Sequence, residues 1–330
     1  MILKDRSVLV TGAGGFIGSH LVEELVTMGA HVRAFVHYNS RNDWGNLELL
    51  PSDVLQRLEV VAGDVQDAGS VRKAVAGCDV VFHLAALISI PYSYIAPESF
   101  VNTNVRGTLN VMQACLDEGV RKVVHTSTSE AYGTAIYTPI DEQHALQGQS
   151  PYSASKIGAD KIAESYYRSF DVPVSIIRPF NTYGPRQSAR AIIPTVLAQL
   201  LSGARQIKLG SLTPVRDLTY VDDMVQGFIK VAQVDESIGQ VINVGFGRGI
   251  SIGQLVETIT RVAGSSAEII EDPQRVRPDK SEVFELLCDN TRARTLLDWK
   301  PRISLEDGLK RVMDFIQANP SLYKPALYNV

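Results

Sequence analysis

The stretch "VTGAGGFIG", residues 10–18, follows directly on an apolar run, "SVL". Its glycines Gly12, Gly15 and Gly18 stand three residues apart and open a helical pattern running from about Gly15 to Met28. Glycines at this spacing allow a tight turn and let backbone N–H groups and a helix N-terminus approach a pyrophosphate. Such a spacing is common by itself. The strand before it and the helix after it supply the context of a dinucleotide-binding turn at the start of an open parallel sheet.

The same rhythm continues outward. "HVRAFVH" (31–37), "LEVVAGDV" (58–65), "DVVFHLAA" (79–86), "RKVVHTS" (121–127) and "VPVSIIRP" (172–179) are short, nearly continuous apolar runs separated by amphipathic stretches. That pattern predicts an α/β protein with a doubly wound parallel sheet, the Rossmann arrangement, covered on both faces. The second half is less regular, with helices expected near 191–202, 221–233, 251–263 and 304–318 in a smaller mixed α/β lobe. The expected division is a dinucleotide-binding domain over 1–178, with 217–247 returning to it, and a substrate-binding lobe over 179–216 and 248–330. Internal repeats, low-complexity tracts and Pro/Ser-rich linkers are absent.

Composition narrows the partners. The 330 residues are 45% hydrophobic, enough for a large core, and the formal net charge is −4 with no Lys/Arg-rich block. This argues against a nucleic-acid groove or a membrane-surface patch and for a small-molecule partner. Cys78, Cys115 and Cys288 are odd in number and widely spaced, which predicts neither a disulfide framework nor a metal site and suits a reducing cytoplasm. The N-terminus enters a strand-like run at once, and no apolar segment is long enough to span a bilayer, so a cytoplasmic protein without a signal peptide is expected.

Cofactor choice is read at the end of the second strand, where an acidic residue would hydrogen-bond an adenosine ribose 2′-hydroxyl. Val36 occupies that place, and no carboxylate appears until Asp43. His37, Asn39, Ser40 and Arg41 are placed instead to surround a 2′-phosphate, which favours NADP, with NAD as the alternative. Asp64 and Val65, after the third strand, stand where the adenine would lie, although Asp64 is equally suited to cap a helix.

Two further stretches carry chemistry. In "HTSTSEAYGT" (125–134), two hydroxyls and a carboxylate, Thr128, Ser129 and Glu130, stand on consecutive residues where an apolar strand ends. Alone this would be a polar turn. In "SPYSASKIGADK" (150–161), Tyr152 and Lys156 are four apart at a helix start and share one face. A lysine ammonium beside a tyrosine is expected to lower the phenol's pKa, making a base that accepts a hydroxyl proton as hydride leaves the adjoining carbon.

The segments "TGAGGFIG", "DV" at 64–65, "HLAA" at 83–86, "NTNVRGT" at 102–108, "TSE" at 128–130, "YSASK" at 152–156, "RPFNTYGPRQ" at 178–187 and "RDLTYVDD" at 216–223 together resemble the extended short-chain dehydrogenase/reductase superfamily over nearly the whole chain. Within it the chain most resembles the nucleotide-sugar 4,6-dehydratases. "VHYNSRNDWGNLELLP" (36–51) is similar to the segment of those acting on nucleotide-linked N-acetylglucosamine in legionaminic-acid-type pathways. The resemblance implies that Phe16, Ile17, Leu84, Ala85 and Ala86 join the glycines, Tyr152 and Lys156 at the cofactor.

It also implies a role for Glu130. A 4,6-dehydratase oxidises carbon 4 of the sugar, which acidifies the carbon 5 proton; a base removes it, water leaves carbon 6, and the hydride returns there. Thr128 would hydrogen-bond the carbon 4 oxygen, Tyr152 would take its proton, and Glu130 would act at carbons 5 and 6. Many dehydratases carry Asp-Glu at this position. Ser129 replaces the Asp here, as in the GDP-mannose dehydratases, which leaves both later proton transfers to Glu130. UDP-glucuronate decarboxylases share a similar "TSExYG", and together with 4-epimerases they are the alternative. A non-catalytic dinucleotide sensor is the alternative of another class, disfavoured by the intact Thr128, Tyr152 and Lys156.

For the substrate, Asn181 follows the sixth strand at its carboxyl end, where ligands bind open sheets. Arg216 and Arg277 match positions that hold the nucleotide diphosphate in the resembled family, and Arg190 is a further candidate. Surface salt bridges with Asp217 or Asp279 are the competing reading for the first two. Asn104 and Thr108 are expected to support the helix beneath the site. A homodimer is expected from residues 93–119 and 153–169, whose Tyr94, Phe100, Val111, Met112, Leu116, Ile162, Tyr166 and Tyr167 exceed what one helix face needs, with burial in the chain's own core the competing reading for some; the resemblance implies that these helices pair across a twofold axis in a four-helix bundle. Neither the nucleotide base nor N-acetylation of the sugar is fixed by these motifs.

Overall fold

The computed structural model describes residues 1–272, 275 and 278–325. Its central sheet has seven strands, β1 (Ser7–Thr11), β2 (His31–His37), β3 (Leu58–Gly63), β4 (Val80–His83), β5 (Lys122–Thr126), β6 (Val174–Pro179) and β7 (Val241–Val244). They run parallel in the order β7-β6-β5-β4-β1-β2-β3. The chain winds from β1 outward to β3 and then crosses to β4 on the other side of β1. The order reverses between β1 and β4, and the carboxyl ends of the strands open a crevice there. Every residue of β4 and β6 is buried, which is why these strands read as apolar runs without alternation.

Helices cover both faces. On one lie α1 (Phe16–Thr27) and α5 (Val221–Gln233); on the other lie α2 (Ala68–Val75), α3 (Gly107–Asp117) and α4 (Pro151–Phe170). Leu21, Val22 and Leu25 of α1 and Met224 and Phe228 of α5 share a core with Val196, Leu255, Ile259, Leu309 and Val312 from helices Ile192–Leu201, Ile252–Val262 and Leu305–Ala318. The second lobe is therefore continuous with the apolar layer of the first. The opposite layer joins Val71, Val75, Val111, Met112, Cys115, Ala163 and Tyr166.

The lobe's small sheet centres on the strand Val215–Tyr220, paired with Gly249–Ser251, Glu285–Leu286 and Asn181–Tyr183. This strand spans residue 217, α5 packs against the main sheet, and β7 is one of its edge strands. The three cysteines are buried and free. No helix among the described residues is long and apolar enough to cross a membrane.

The apolar surplus read on 93–119 and 153–169 is corrected in part. Phe100, Val111 and Met112 are fully buried in the chain's own core, Tyr166 is 7% exposed, and Tyr94 hydrogen-bonds Ser281 at 2.6 Å. Tyr94 itself stays exposed, at 39%, and Ile95, Val101 and Leu109 are exposed beside it.

Candidate active site

The crevice opens into a cleft of about 1090 Å³ whose floor begins at the glycine turn. Gly12 has a φ of +71°, and a Cβ on it would stand 2.8 Å from the Ala85 nitrogen. A Cβ on Gly18 would stand 2.2 Å from the Gly12 oxygen. Conformation and close approach both require glycine there. Gly15 is the N-cap of α1 and brings no side-chain cap, so the first N–H groups of the helix, at Phe16, Ile17 and Gly18, are left for a ligand. All of these except Ala85 line the cleft. The donors and the absence of side chains fit a dinucleotide pyrophosphate.

A second backbone segment meets this turn. Asn46 N donates to Gly14 O at 2.9 Å, and a Cβ on Gly14 would lie 2.5 Å from Trp44 O. Trp44 and Gly45 thus form part of the cleft wall. Only the glycine of "WG" hinted at this contact, which joins residues thirty apart in sequence.

Of the cofactor candidates beyond the turn, His37, Asn39, Leu84 and Ala86 line the cleft, together with Val36 and Asp43. Ser40 and Arg41 are not in its lining, and Asn39 is engaged within its own loop. Its Oδ1 accepts from Arg41 N and Asp43 N at 3.1 Å, and its Nδ2 donates to Asp43 O at 2.7 Å. Ala85 N donates to Thr11 Oγ1 at 3.1 Å. Asp64 and Val65 are also outside the lining: Asp64 Oδ1 accepts from Gln66 N at 2.8 Å in a turn, Val65 is buried, and the cap of α2 is Asp67.

The hydroxyl–carboxylate triplet and the Tyr-x-x-x-Lys pair meet in the same cleft. Ser150 caps α4 and forms a reciprocal capping box with Ser153, which places Tyr152 and Lys156 on the first turns. Thr128 caps the single-turn helix Ser129–Tyr132, accepting from Glu130 N at 3.3 Å. Lys156 Nζ donates to Thr126 O at 2.6 Å. Burial pulls the Lys156 ammonium down to about 8, opposed by the Asp160 carboxylate.

The expected effect of that ammonium on the phenol is corrected. Burial pushes Tyr152 well above its ordinary value, and the group that opposes this is the Thr128 hydroxyl, while Glu130 and Asp160 raise it further. The lysine donates to a backbone oxygen, and the tyrosine ring lies against Phe100, with ring centroids 6.3 Å apart. Asn104 joins the loop after β4 to α4, donating from Nδ2 to Leu87 O and Ser155 Oγ at 2.9 Å each. Thr108 Oγ1 donates to Asn104 O at 2.6 Å and meets His83 Nε2 at 3.0 Å.

On the lobe side, Asn181, Arg190 and Arg216 line the cleft, and Ser129 lies in the wall beside Glu130. The Asn181 Oδ1 is buried with no hydrogen-bond partner among the described residues. Arg190 Nε donates to Ser188 Oγ at 3.2 Å. Arg216 pairs with Glu282 at 3.2 Å rather than with Asp217, whose carboxylate accepts from Phe246, Gly247 and Cys288 N–H groups at 2.7–3.1 Å. Arg277 lies outside the described residues. Arg275, Glu282, Ser89 and Tyr94 also line the cleft and carried no signal in local spacing.

A doubly wound sheet with a glycine turn at a helix N-terminus, and with a buried Tyr-x-x-x-Lys pair on the same crevice, defines a Rossmann-type dinucleotide-dependent enzyme. Residues 9–312 match the family model described as GDP-mannose 4,6 dehydratase, and the chain belongs to this family of NAD(P)-binding nucleotide-sugar dehydratases and epimerases. It is 34% identical to a UDP-glucose 4-epimerase of Mycolicibacterium smegmatis over 94% of this chain and 98% of the relative. It is also 34% identical to a dTDP-glucose 4,6-dehydratase of Streptomyces griseus, over 96% of each chain. The crystal structure of the dTDP-glucose 4,6-dehydratase of Streptomyces venezuelae with NAD bound is similar at a TM-score of 0.86 and 30% identity, covering 97% of this chain and 99% of that one. An epimerase and a dehydratase resemble the chain equally, so likeness fixes the family and leaves the reaction to the site.

Proposed function

We propose that the chain is a nucleotide-sugar 4,6-dehydratase, converting an NDP-hexose to the NDP-4-keto-6-deoxy sugar. GDP- or UDP-N-acetylglucosamine are the candidate substrates suggested by residues 36–51. The observation that carries this reading is the carboxylate of Glu130, which lines the cleft two residues after Thr128 and shares it with Tyr152 and Lys156. Thr128 hydrogen-bonds the carbon 4 oxygen and Tyr152 accepts its proton. Glu130 removes the carbon 5 proton and delivers a proton to the departing carbon 6 hydroxyl, which leaves as water. When bound, the nicotinamide would supply the redox chemistry, as hydride acceptor at carbon 4 and hydride donor at carbon 6, and carbon 5 takes up a proton from solvent to complete the 4-keto-6-deoxy sugar. Asn181 binds the substrate, and Arg216 and Arg277, with Arg190 a further candidate, hold the nucleotide diphosphate.

Decarboxylation and epimerisation of a uronate fit less well. A substrate carboxylate at carbon 5 would face Glu130. Among the described residues, the arginines that line the cleft, Arg190, Arg216 and Arg275, all follow β6 in the chain. Arg178 stacks under Tyr132 of the Glu130 turn but is paired with Asp160 and absent from the lining.

For the cofactor we propose NADP. Val36 offers no acceptor to a ribose 2′-hydroxyl, and Arg41 is an exposed guanidinium close to the rim residue Asn39. Asp43, on the same rim, is the feature that favours NAD. In this reading the cofactor lies on 1–178 with 217–247, and the nucleotide sugar on 179–216 and 248–330. A homodimer, packed through residues 93–119, which expose Tyr94, Ile95, Val101 and Leu109, and through the helix over 153–169, completes it.

Incubation with a panel of UDP-, GDP-, CDP- and dTDP-sugars followed by mass spectrometry tests the reaction. Loss of the mass of water is expected. Loss of carbon dioxide, or an isomer of unchanged mass, would replace this reading with decarboxylation or epimerisation.

A further inference from the structure

Beneath the cleft lies a set of buried charges that none of the proposed steps uses. Asp160 sits on α4 one turn beyond Lys156 and two beyond Tyr152, on the same face, and is 3% exposed. Its Oδ1 meets His125 Nε2 at 3.1 Å, and its Oδ2 accepts from Ser127 Oγ at 2.5 Å and Arg178 Nη2 at 2.8 Å. Arg178, also 3% exposed, donates from Nε to Ser127 Oγ at 3.1 Å. Its guanidinium lies 4.6 Å from the centre of the Tyr132 ring. Tyr132 is fully buried and its hydroxyl donates to Asn243 Oδ1 at 2.7 Å. This tyrosine closes the single-turn helix that carries Ser129 and Glu130.

A buried ion pair is a costly way to stabilise a core, because desolvation cancels much of the attraction; apolar residues of similar volume do as well. What the pair offers here is geometry. A forked guanidinium has fixed donor directions and a flat face, so it fastens a carboxylate on one element and an aromatic ring on another in one arrangement. Burial lowers the His125 imidazole, opposed by its hydrogen bond to Asp160.

We propose that Arg178 and Asp160 are positioning residues that lock the turn bearing Thr128 and Glu130 to the helix bearing Tyr152 and Lys156. The group that works at carbon 4 and the group that works at carbon 5 are thereby held on one frame. The assignment of those two groups rests on the dehydratase reading; the mechanical coupling does not.

Three variants separate the possibilities: Asp160→Asn; Asp160→Asn with Arg178→Met, which removes both charges so that neither is left buried alone; and Tyr132→Phe, which keeps the ring. Amide hydrogen exchange on the full chain loaded with NADP reads the coupling. The proposal expects the segment 128–133 to exchange about tenfold faster in the double variant, with β1 unchanged, although neither substitution lies in that segment. Tyr132→Phe shifts the same segment in the same direction. Uniform loss of protection through β1 and 128–133 would show a merely structural role and overturn the proposal, as would unchanged protection of 128–133 in every folded variant.

With dTDP-glucose, GDP-mannose and UDP-N-acetylglucosamine as probes, the variants should lose water elimination by roughly 10²-fold while KM and carbon 4 oxidation change far less. Equal loss of both steps would contradict the proposal. If the unaltered protein dehydrates none of these sugars while 128–133 still responds to Asp160→Asn, the dehydratase reading fails and the coupling stands.

Discussion

Lys156 holds the main-chain oxygen of Thr126 at 2.6 Å, tying the first turns of α4 to the last residue of β5. The lysine thus fixes where Tyr152 stands relative to the strand end that leads into Thr128 and Glu130. Its own ammonium is drawn down to about 8 by burial, and the phenol it was expected to acidify is pushed up by burial instead.

Tyr152→Phe should abolish both carbon 4 oxidation and water loss, because the second depends on the ketone made by the first. The expected fall is roughly 10²–10⁴-fold in substrate-dependent formation of reduced nicotinamide. An unchanged rate would remove Tyr152 from the mechanism.

Acid should destabilise the fold from mildly acidic pH. Burial is the leading cause that lowers His20, to about 4, with Arg186 adding to it; burial also leads in lowering His83 and His125. Below the ordinary histidine value the unfolded chain takes up protons that the folded chain does not, so stability falls as pH drops through that window. Asp217, raised to about 6 by burial, and Glu142 and Asp222, which burial also raises, work in the opposite direction against the three histidines. Thermal unfolding should show Tm falling between about pH 7 and about pH 5, and less so in His20→Gln. A flat Tm over this range contradicts the assignment.

Arg41→Ala should weaken NADP more than NAD, since only a 2′-phosphate would draw that exposed guanidinium to the rim. Calorimetric titration of both cofactors into both proteins measures this. Equal affinities in the unaltered protein would favour Asp43 and NAD.

Light scattering should give twice the 36.1 kDa of one chain. Leu109→Glu, on an exposed position of α3, should shift the mass to that of a monomer by placing like charges across a twofold axis. A monomer before substitution rules out the dimer.

The main sheet was legible because its strands are buried on both faces and separated by helices, a pattern that short windows capture. The helices expected near 191–202, 221–233, 251–263 and 304–318 match Ile192–Leu201, Val221–Gln233, Ile252–Val262 and Leu305–Ala318. The strand Val215–Tyr220 was cut at 217 because its pairing partners lie far away in the chain, at Asn181–Tyr183, Gly249–Ser251 and Glu285–Leu286. Motif spacing brought Thr128, Glu130, Tyr152 and Lys156 together. The Asp160–Arg178 pair and the contact of Gly14 with Trp44 went unseen, since each joins segments through burial and leaves no local periodicity. Phe100, Val111 and Met112 were read as surplus for a partner because sequence shows how many apolar residues a helix has and not how deep it lies.

In the proposed reaction Glu130 makes this cleft a dehydratase site. Glu130→Gln should be assayed in deuterated water with the sugar nucleotide that the unaltered protein converts, following deuterium at carbon 5 and reduced nicotinamide together. Carbon 4 oxidation should persist while deuterium incorporation and water loss fall by roughly 10²–10⁴-fold. Water loss near the unaltered rate in Glu130→Gln would contradict it.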